Sequence, residues 1–368
     1  MITGDNKDTA NAIARDIGML DRTTSNRVFD AAEFFSLDVN QQRDVLDSGN
    51  LVFSRTKPAQ KQTIVEILQA KGEVVAMTGD GVNDSPALKK ASIGIAMGSG
   101  TDVAKDTADM VLLDDSFASI VQAVAEGRSI YTNMKAFVNF LLSCNLGEVF
   151  AVVLASLLGL PSMLTATQLL WVNLVTDGLP AVALGFNPPD RGLMNRPPRS
   201  SQAEFIDNAV LFRYLISGAY IGLSTTGTFI VYFLYKGFSI DQLVHWSTCV
   251  EQVYGPLCND ILNQSTLKTA QTLALTTLVC TELLKALCSV STVSLFTISP
   301  FQNPYLITSV VGSMVLHSVL VYSDYLGLSI LGESLGLVPI TMNDWFIILG
   351  FSLPIILVEE AIKVSTKG

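Results

Sequence analysis

The hydrophobic positions of this 368-residue chain fall into two regimes. Up to about residue 130 they come in short runs separated by polar stretches. LVFS (51–54) and EVVAM (73–77) read as strands, with PAQKQTIVEILQAKG (58–72) as a helix between them. SIGIAM (92–97) and DMVLLD (109–114) read as two more strands, with a helix near TDVAKDTA (101–108). Strands alternating with helices predict an open α/β sheet. FASIVQAVAEGRSIYTNMKAF (117–137) then carries apolar residues at helical spacing and is expected to lead from the polar part into an apolar one.

Beyond it the apolar runs become long. Stretches near 136–159, 163–185, 209–235, 267–289, 304–323 and 344–363 each approach the roughly 20 residues that cross a bilayer. The expected organisation is an α/β domain over 1–130 followed by an all-α transmembrane bundle of six helices over 131–368. Between the second and third spans, NPPDRGLMNRPPRSSQAEF (187–205) carries Arg191, Arg196 and Arg199. The positive-inside rule puts that loop in the cytosol. Residues 1–130 and the C-terminus then share its side, and the acidic loop 236–266 lies opposite.

Composition agrees. Only 15% of the residues are charged against 49% hydrophobic, where a soluble domain carries about 25% charged. The net charge of −10 comes with no basic patch to meet phosphates, which argues against nucleic acid as a partner. Met1 is followed by neither a basic start nor an apolar run, so no signal peptide is expected. Cys144, Cys280 and Cys288 lie in apolar tracts, and Cys249 and Cys258 in a polar loop. His245 and His317 sit in different segments without a metal partner and read as structural residues.

Two elements carry phosphate chemistry. TGDG (78–81) ends a strand and delivers Asp80 to the C-terminal edge of a sheet, the usual ligand crevice of such folds. Its glycines let a backbone approach an anion. Asn83 or Asp84 is expected to cap the next helix, with Pro86 in its first turn, and that N-terminus favours phosphate. A carboxylate beside phosphate needs an intervening cation, so Asp80 implies Mg²⁺. A capped turn without a ligand is the plainer reading. Against it, the element recurs as TGDN (3–6), and Lys61 starts the intervening helix.

The apolar half has its own signal, because ionisable residues inside a span are costly and mark function. Glu148 lies mid-span with Asn145 one turn before it, which predicts a shared face. Asn173, Thr176 and Asp177 follow the same spacing in the second span. Gly178 and Pro180 behind them should loosen the helix and free carbonyls. Glu282 interrupts the fourth span. All six offer oxygen, the donor set of a hard cation such as Ca²⁺. Interhelical polar contacts are the plainer alternative, but three carboxylates without a basic partner argue against it. Lys285, one turn past Glu282, is expected to snorkel to the cytosolic surface.

MITGDN, FSRTKPAQK, MTGDGVND and AMGSGTDVAKDTADMVL resemble the phosphorylation domain of a P-type ATPase, a haloacid-dehalogenase-like, Rossmann-like α/β fold. LLWVNLVTDGLPA and LGFNPPDRGLMNRPPR are similar to calcium pumps of the sarco/endoplasmic reticulum type. The resemblance implies ATP and Mg²⁺ as cofactors, Ca²⁺ as the transported ion and a multi-pass place in the reticulum membrane. It implies that Asp80 holds Mg²⁺ with Asn83 and Asp84 beside it, and that Thr3, Gly4 and Lys61 meet the transferred phosphoryl group. Asp5 and Arg55, with Asn83, would lie towards the nucleotide. Asn145, Glu148, Asn173, Thr176, Asp177 and Glu282 would ligate calcium, with Asp177 shared between two ions.

The family's nucleophile is the Asp of a DKTGT motif, which does not occur in these 368 residues. The chain is therefore expected to be the C-terminal part of a pump, half a phosphorylation domain plus six spans, and inactive alone. A membrane protein that only binds ions or pairs with another subunit is the competing reading. A reticulum lumen on the far side of the membrane would also favour a disulfide between Cys249 and Cys258, turning at Gly255-Pro256.

Overall fold

The computed structural model describes residues 1–20, 27–189, 192–200, 204–206, 208–246, 264–290, 294–295 and 299–365. Cys249, Cys258 and Arg191 lie outside the described residues, and so does the expected disulfide. The chain forms two units, Met1–Ala125 with Pro197–Ala203, and Glu126–Arg196 with Glu204–Gly368.

The first unit is built from short elements with explicit starts. Helix α1 (Lys7–Asp16) is capped by Asn6, whose side chain accepts from the Thr9 amide. Strand β1 (Val28–Asp30) hands over to α2 (Ala31–Phe35) at Asp30, and α3 (Val39–Asp47) opens on a reciprocal Asp38–Gln41 capping box. Then come β2 (Val52–Ser54), α4 (Pro58–Ala70), β3 (Ala76–Gly79), a 3-10 turn at Val82–Asp84 and α5 (Ser85–Lys90). Strand β4 (Ile93–Met97), α6 (Asp102–Thr107) and β5 (Met110–Leu112) complete it.

The four expected strands and both expected helices form. Strand β3 starts three residues late, because Val74 is exposed and Val75 spends its carbonyl on the Ser92 amide outside the ladder. Strand β1 and helices α1 to α3 had no counterpart in the expectation. Among the described residues all strand pairing is parallel, in two separate sheets. In one, β1 pairs β2 with Phe29 opposite Phe53, and Ile2 bridges to Phe53, so the segment leading into TGDN also lies beside β2. In the other, β4 lies between β3 and β5. Phe34, Leu51, Phe53 and Ile64 are the core under the first sheet, and Met77, Leu88 and Ala96 sit in the core of the second. Each sheet thus ends one TGD element.

The second unit is helical. Helix α7 (Phe117–Leu157) is continuous over 41 residues, its first turns belonging to the first unit. Next come α8 (Ala166–Trp171), α9 (Gly178–Leu184), α10 (Asn208–Tyr235) and α11 (Ile240–Val244). Helices α12 (Gln264–Cys288), α13 (Pro304–Val321), α14 (Ser329–Ser334), α15 (Met342–Ser352) and α16 (Ile355–Ser365) follow. Among the described residues five helical stretches are long and apolar enough to cross a membrane: Phe117–Leu157, Val210–Tyr235, Ser265–Cys288, Pro304–Val321 and Met342–Ser365.

The expected span at 163–185 is not one helix. It is α8, a π-helical stretch Val172–Thr176, and α9. The Asp177 amide reaches back five residues to the Val172 carbonyl, at 2.9 Å. Pro180 has no N–H to give the Thr176 carbonyl, so the ordinary helical bond is missing where the ladder changes.

Helix α12 is the axis of this unit. Of its most apolar window 89% is buried, against 28% for α13 and for the α15–α16 stretch, and it packs against α10, α13, α15 and α16. That burial lets it carry Thr272, Thr276, Thr277 and Thr281, all buried. Thr272, Thr276 and Thr281 return their hydroxyls to the carbonyl four residues back, at 2.7–2.8 Å, so no donor is left over.

Candidate cation and phosphate sites

Three elements of the helical unit bring carboxylates together: α7 supplies Glu148, the break between the π stretch and α9 supplies Asp177, and α12 supplies Glu282. Asp177 and Glu282 are fully buried, and among the described residues none of their four carboxylate oxygens has a hydrogen-bond partner. Glu148 is buried and within electrostatic reach of both. It alone is tied down, by the Asn173 amide, which donates to its two oxygens at 2.7 and 3.0 Å. Gly147 makes room for this. A Cβ there would stand 2.6 Å from Ile221 Cγ2, so only glycine lets α7 come this close to α10. The Thr176 hydroxyl is buried beside Asp177 and donates to the Val172 carbonyl at 3.0 Å, leaving its lone pairs free.

Asn145 stands apart from the cluster. It is exposed, and its amide donates to the Leu141 carbonyl at 2.9 Å. The buried stripe of α7 runs through Phe140, Cys144, Gly147, Glu148 and Ala151. Asn145 falls just off it. Cys144, one turn before Glu148, takes the inward place, and a ligand atom of Cys144, Asp177 and Glu282 each lies within 4.8 Å of the others. Sequence reading grouped Cys144 with the apolar cysteines, although its i, i+4 spacing to Glu148 was there to be read.

Lys285 does not snorkel. It is 1% exposed, and its ammonium donates to Glu359 on α16 at 2.8 Å. A carboxylate 74 residues further along the chain captures it before it can reach a surface.

In the first unit the phosphate-type residues cluster around the ends of β2 and β3. Lys61, on α4, donates to Asp84 at 2.6 Å, with both side chains largely buried. Asp84 stands at the N-cap of α5 but makes no capping bond, because its carboxylate is spent on Lys61. Asn83 is exposed and caps nothing, so the capping expected of either residue does not occur. Helix α5 has only six residues behind its 3-10 turn. Asp80 is exposed at the end of β3, and its carbonyl is held by the Thr101 amide at 2.7 Å. Gly79 is obligatory beside it, since a Cβ there would meet Asp84 Cβ at 2.4 Å.

The TGDN element is locally closed. The Thr3 hydroxyl donates to Asp5 at 2.8 Å, the Thr3 amide is held by the Phe53 carbonyl, and Gly4 is exposed between them. Arg55 takes the left-handed region at φ +52°, its amide donating to the Asp5 carbonyl and its guanidinium 3.5 Å from Asp30. Thr3, Asp5 and Arg55 are therefore brought together, and Lys61 is joined to the β3 side through Asp84.

Comparison with known proteins follows the same division. Residues 161–365 match the family model of the cation transporting ATPase C-terminus, and residues 1–92 match that of haloacid dehalogenase-like hydrolases. The endoplasmic reticulum-type calcium-transporting ATPase 4 of Arabidopsis thaliana is 45% identical over 396 residues, covering 99% of this chain and 37% of the relative. Calcium-transporting ATPase 2 of the same type and plant is 44% identical over 398 residues, with 99% and 37% covered. A calcium-transporting ATPase of Plasmodium falciparum is 43% identical over 399 residues, covering all of this chain and 32% of the relative. The chain thus spans about a third of the length of the curated relatives it matches. With a haloacid dehalogenase-like unit ahead of a helical bundle whose residues match the C-terminal family model, the chain belongs to the cation-transporting ATPases.

Proposed function

We propose that these residues are the C-terminal part of an ATP-driven calcium pump of the endoplasmic reticulum membrane. The observation that carries this reading is the set of four unpartnered carboxylate oxygens on Asp177 and Glu282, with Glu148 nearby. A buried ionised carboxylate without a partner costs several kcal/mol. Gathering three around one cavity needs a compensating charge, which a divalent cation supplies most economically. With the Thr176 hydroxyl and the Asn173 amide they approach the six to eight oxygens that calcium takes. They suit one ion rather than two. The curated relatives named above are calcium-transporting ATPases, two of them of reticulum type, which supports the same cargo and membrane.

The first unit would then serve phosphoryl transfer from ATP, on the cytosolic side together with the C-terminus. Asp80 fits Mg²⁺, because its carboxylate is exposed at the end of β3 while the neighbouring Asp84 is occupied by Lys61. When bound, that ion neutralises charge on phosphate oxygens. Asp84 fixes the Lys61 ammonium, which with Thr3 and Gly4 would face the transferred group. Asn83, Asp5 and Arg55 would face the nucleotide.

Titration of the purified chain in lipid nanodiscs with radiolabelled calcium tests the reading. About one equivalent should bind, as the oxygen count allows, and Asp177→Asn should weaken binding strongly. Two equivalents, or none in a chain whose circular dichroism shows it folded, would reject it.

A further inference from the structure

We infer that the carboxylate cavity also takes thiophilic divalent cations, with the Cys144 sulfur as a direct ligand. The inference rests on the calcium reading of the same cavity and widens its ion class. Cys144 is fully buried, four residues before Glu148, on the inward stripe of α7. Its sulfur lies within 4.8 Å of a carboxylate oxygen of Asp177 and one of Glu282, and those two oxygens lie within the same distance of each other. A cation between three atoms so spaced has each within about 2.8 Å, roughly half an ångström beyond a zinc–sulfur bond of about 2.3 Å. A small side-chain movement closes that gap.

The donor chemistry does the rest. Oxygen ligands alone favour hard cations, and a thiolate in the set raises the affinity for cadmium and zinc far more than for calcium. On binding, the thiol proton leaves to water as the metal–sulfur bond forms. The three protein ligands and one water would complete a four-coordinate shell. The oxygens of Asp177 and Glu282, both residues fully buried, are ligand atoms that such an ion could take. Cys280 and Cys288 are buried too, but neither belongs to the group that could hold a metal.

Titration of the full chain in lipid nanodiscs with Cd²⁺ alone decides this. Near-ultraviolet absorption reads the sulfur-to-cadmium charge transfer, and radiolabelled calcium displacement reads the shared cavity. About one equivalent of Cd²⁺ should produce the band and displace calcium. Cys144→Ser should remove the band and weaken Cd²⁺ at least about tenfold. Cys280→Ser and Cys288→Ser should keep the band. No band in a wild-type chain that binds calcium would overturn the thiolate assignment while leaving the calcium reading intact, and so would a band that survives Cys144→Ser. A folded wild-type chain that binds cadmium with the band and no calcium would instead sink the calcium reading and keep the thiolate. If Cys144→Ser does not fold, cadmium that gives the band in wild type without displacing bound calcium would reject a shared cavity.

Discussion

Glu282 and Glu359 are both fully buried carboxylates of the helical unit, and their surroundings are opposite. Glu359 receives the Lys285 ammonium at 2.8 Å and the Ser217 hydroxyl at 2.6 Å, with the Arg213 guanidinium at 3.6 Å. Glu282 receives no lysine, arginine or hydroxyl among the described residues, and its neighbours are the acids Asp177 and Glu148. The contrast is sharper because Lys285 lies on the same helix, three residues past Glu282, where side chains share a face. A neutralising cation is thus available inside the fold, and it is committed to Glu359. The bundle closes one acidic position with its own residues and leaves the other without a basic partner among the described residues. That difference separates a structural network from a candidate binding site better than burial or charge alone.

The largest effect expected from the contrast is at the closed position. Glu359→Ala strands a buried ammonium and should cost about 3–5 kcal/mol of stability. Adding Lys285→Met to a Glu359→Leu variant should recover part of that, because the Lys285 charge leaves with the carboxylate while the Arg213 guanidinium stays behind. Thermal unfolding in detergent, followed by circular dichroism, measures both. A single variant as stable as wild type would mean that the pair is not holding α12 to α16.

At the open position the sign reverses. Asp177→Asn relieves the crowding of a buried carboxyl against Glu148 and Glu282, so the ion-free chain should be no less stable, and more stable by about 1 kcal/mol. Calcium affinity should fall about 10- to 100-fold, equivalent to about 1.4–2.8 kcal/mol. Stability and binding are expected to move apart. A variant that loses both in parallel would place Asp177 in the structural class with Glu359.

How much of this was legible in the sequence follows from what each residue needs. Glu148, Asp177 and Glu282 announced themselves, since a carboxylate in an apolar run has few explanations. Gly178 and Pro180 foretold the broken helix, as both disturb the backbone ladder locally. Lys285 was misread because its partner is 74 residues away, and no local pattern announces a pairing across α12 and α16. Asn145 falls off the buried stripe of α7 because one turn of spacing leaves a residue some 60° off its neighbour. Cys144 carried no charge to betray it. Strand β1 has three residues, too few for any alternation to register.

A smaller effect tests how tightly the open site is framed. Gly147→Ala sets a methyl carbon against Ile221, 2.6 Å from its Cγ2. Separating α7 from α10 should cost about 1 kcal/mol or somewhat more. Because Glu148 is the next residue, calcium affinity should drop a few-fold, while the Lys285–Glu359 network keeps its stabilisation in a double-mutant cycle. Undiminished calcium affinity would mean that the site does not depend on this close approach.

The smallest expected effect comes from a third kind of carboxylate, exposed and paired only with neutral donors. Asp114 precedes α7 and accepts from the Ser119 hydroxyl and the Ser116 amide, and these bonds hold its carboxyl below the usual value of 3.8. A lowered folded value means that this turn is supported above pH 3.8 and loses the support as the pH falls through the folded value. Carboxyl-carbon NMR of the chain in micelles should place the Asp114 midpoint under 3.8, and Ser119→Ala should bring it back up. The hydroxyl is the larger cause, so the Ser116 amide alone should leave the midpoint only partly lowered. Solvent replaces both donors readily at an exposed site, so calcium binding and global unfolding should not change. An Asp114 midpoint indifferent to Ser119→Ala would show that the backbone turn, not the side-chain bond, sets it.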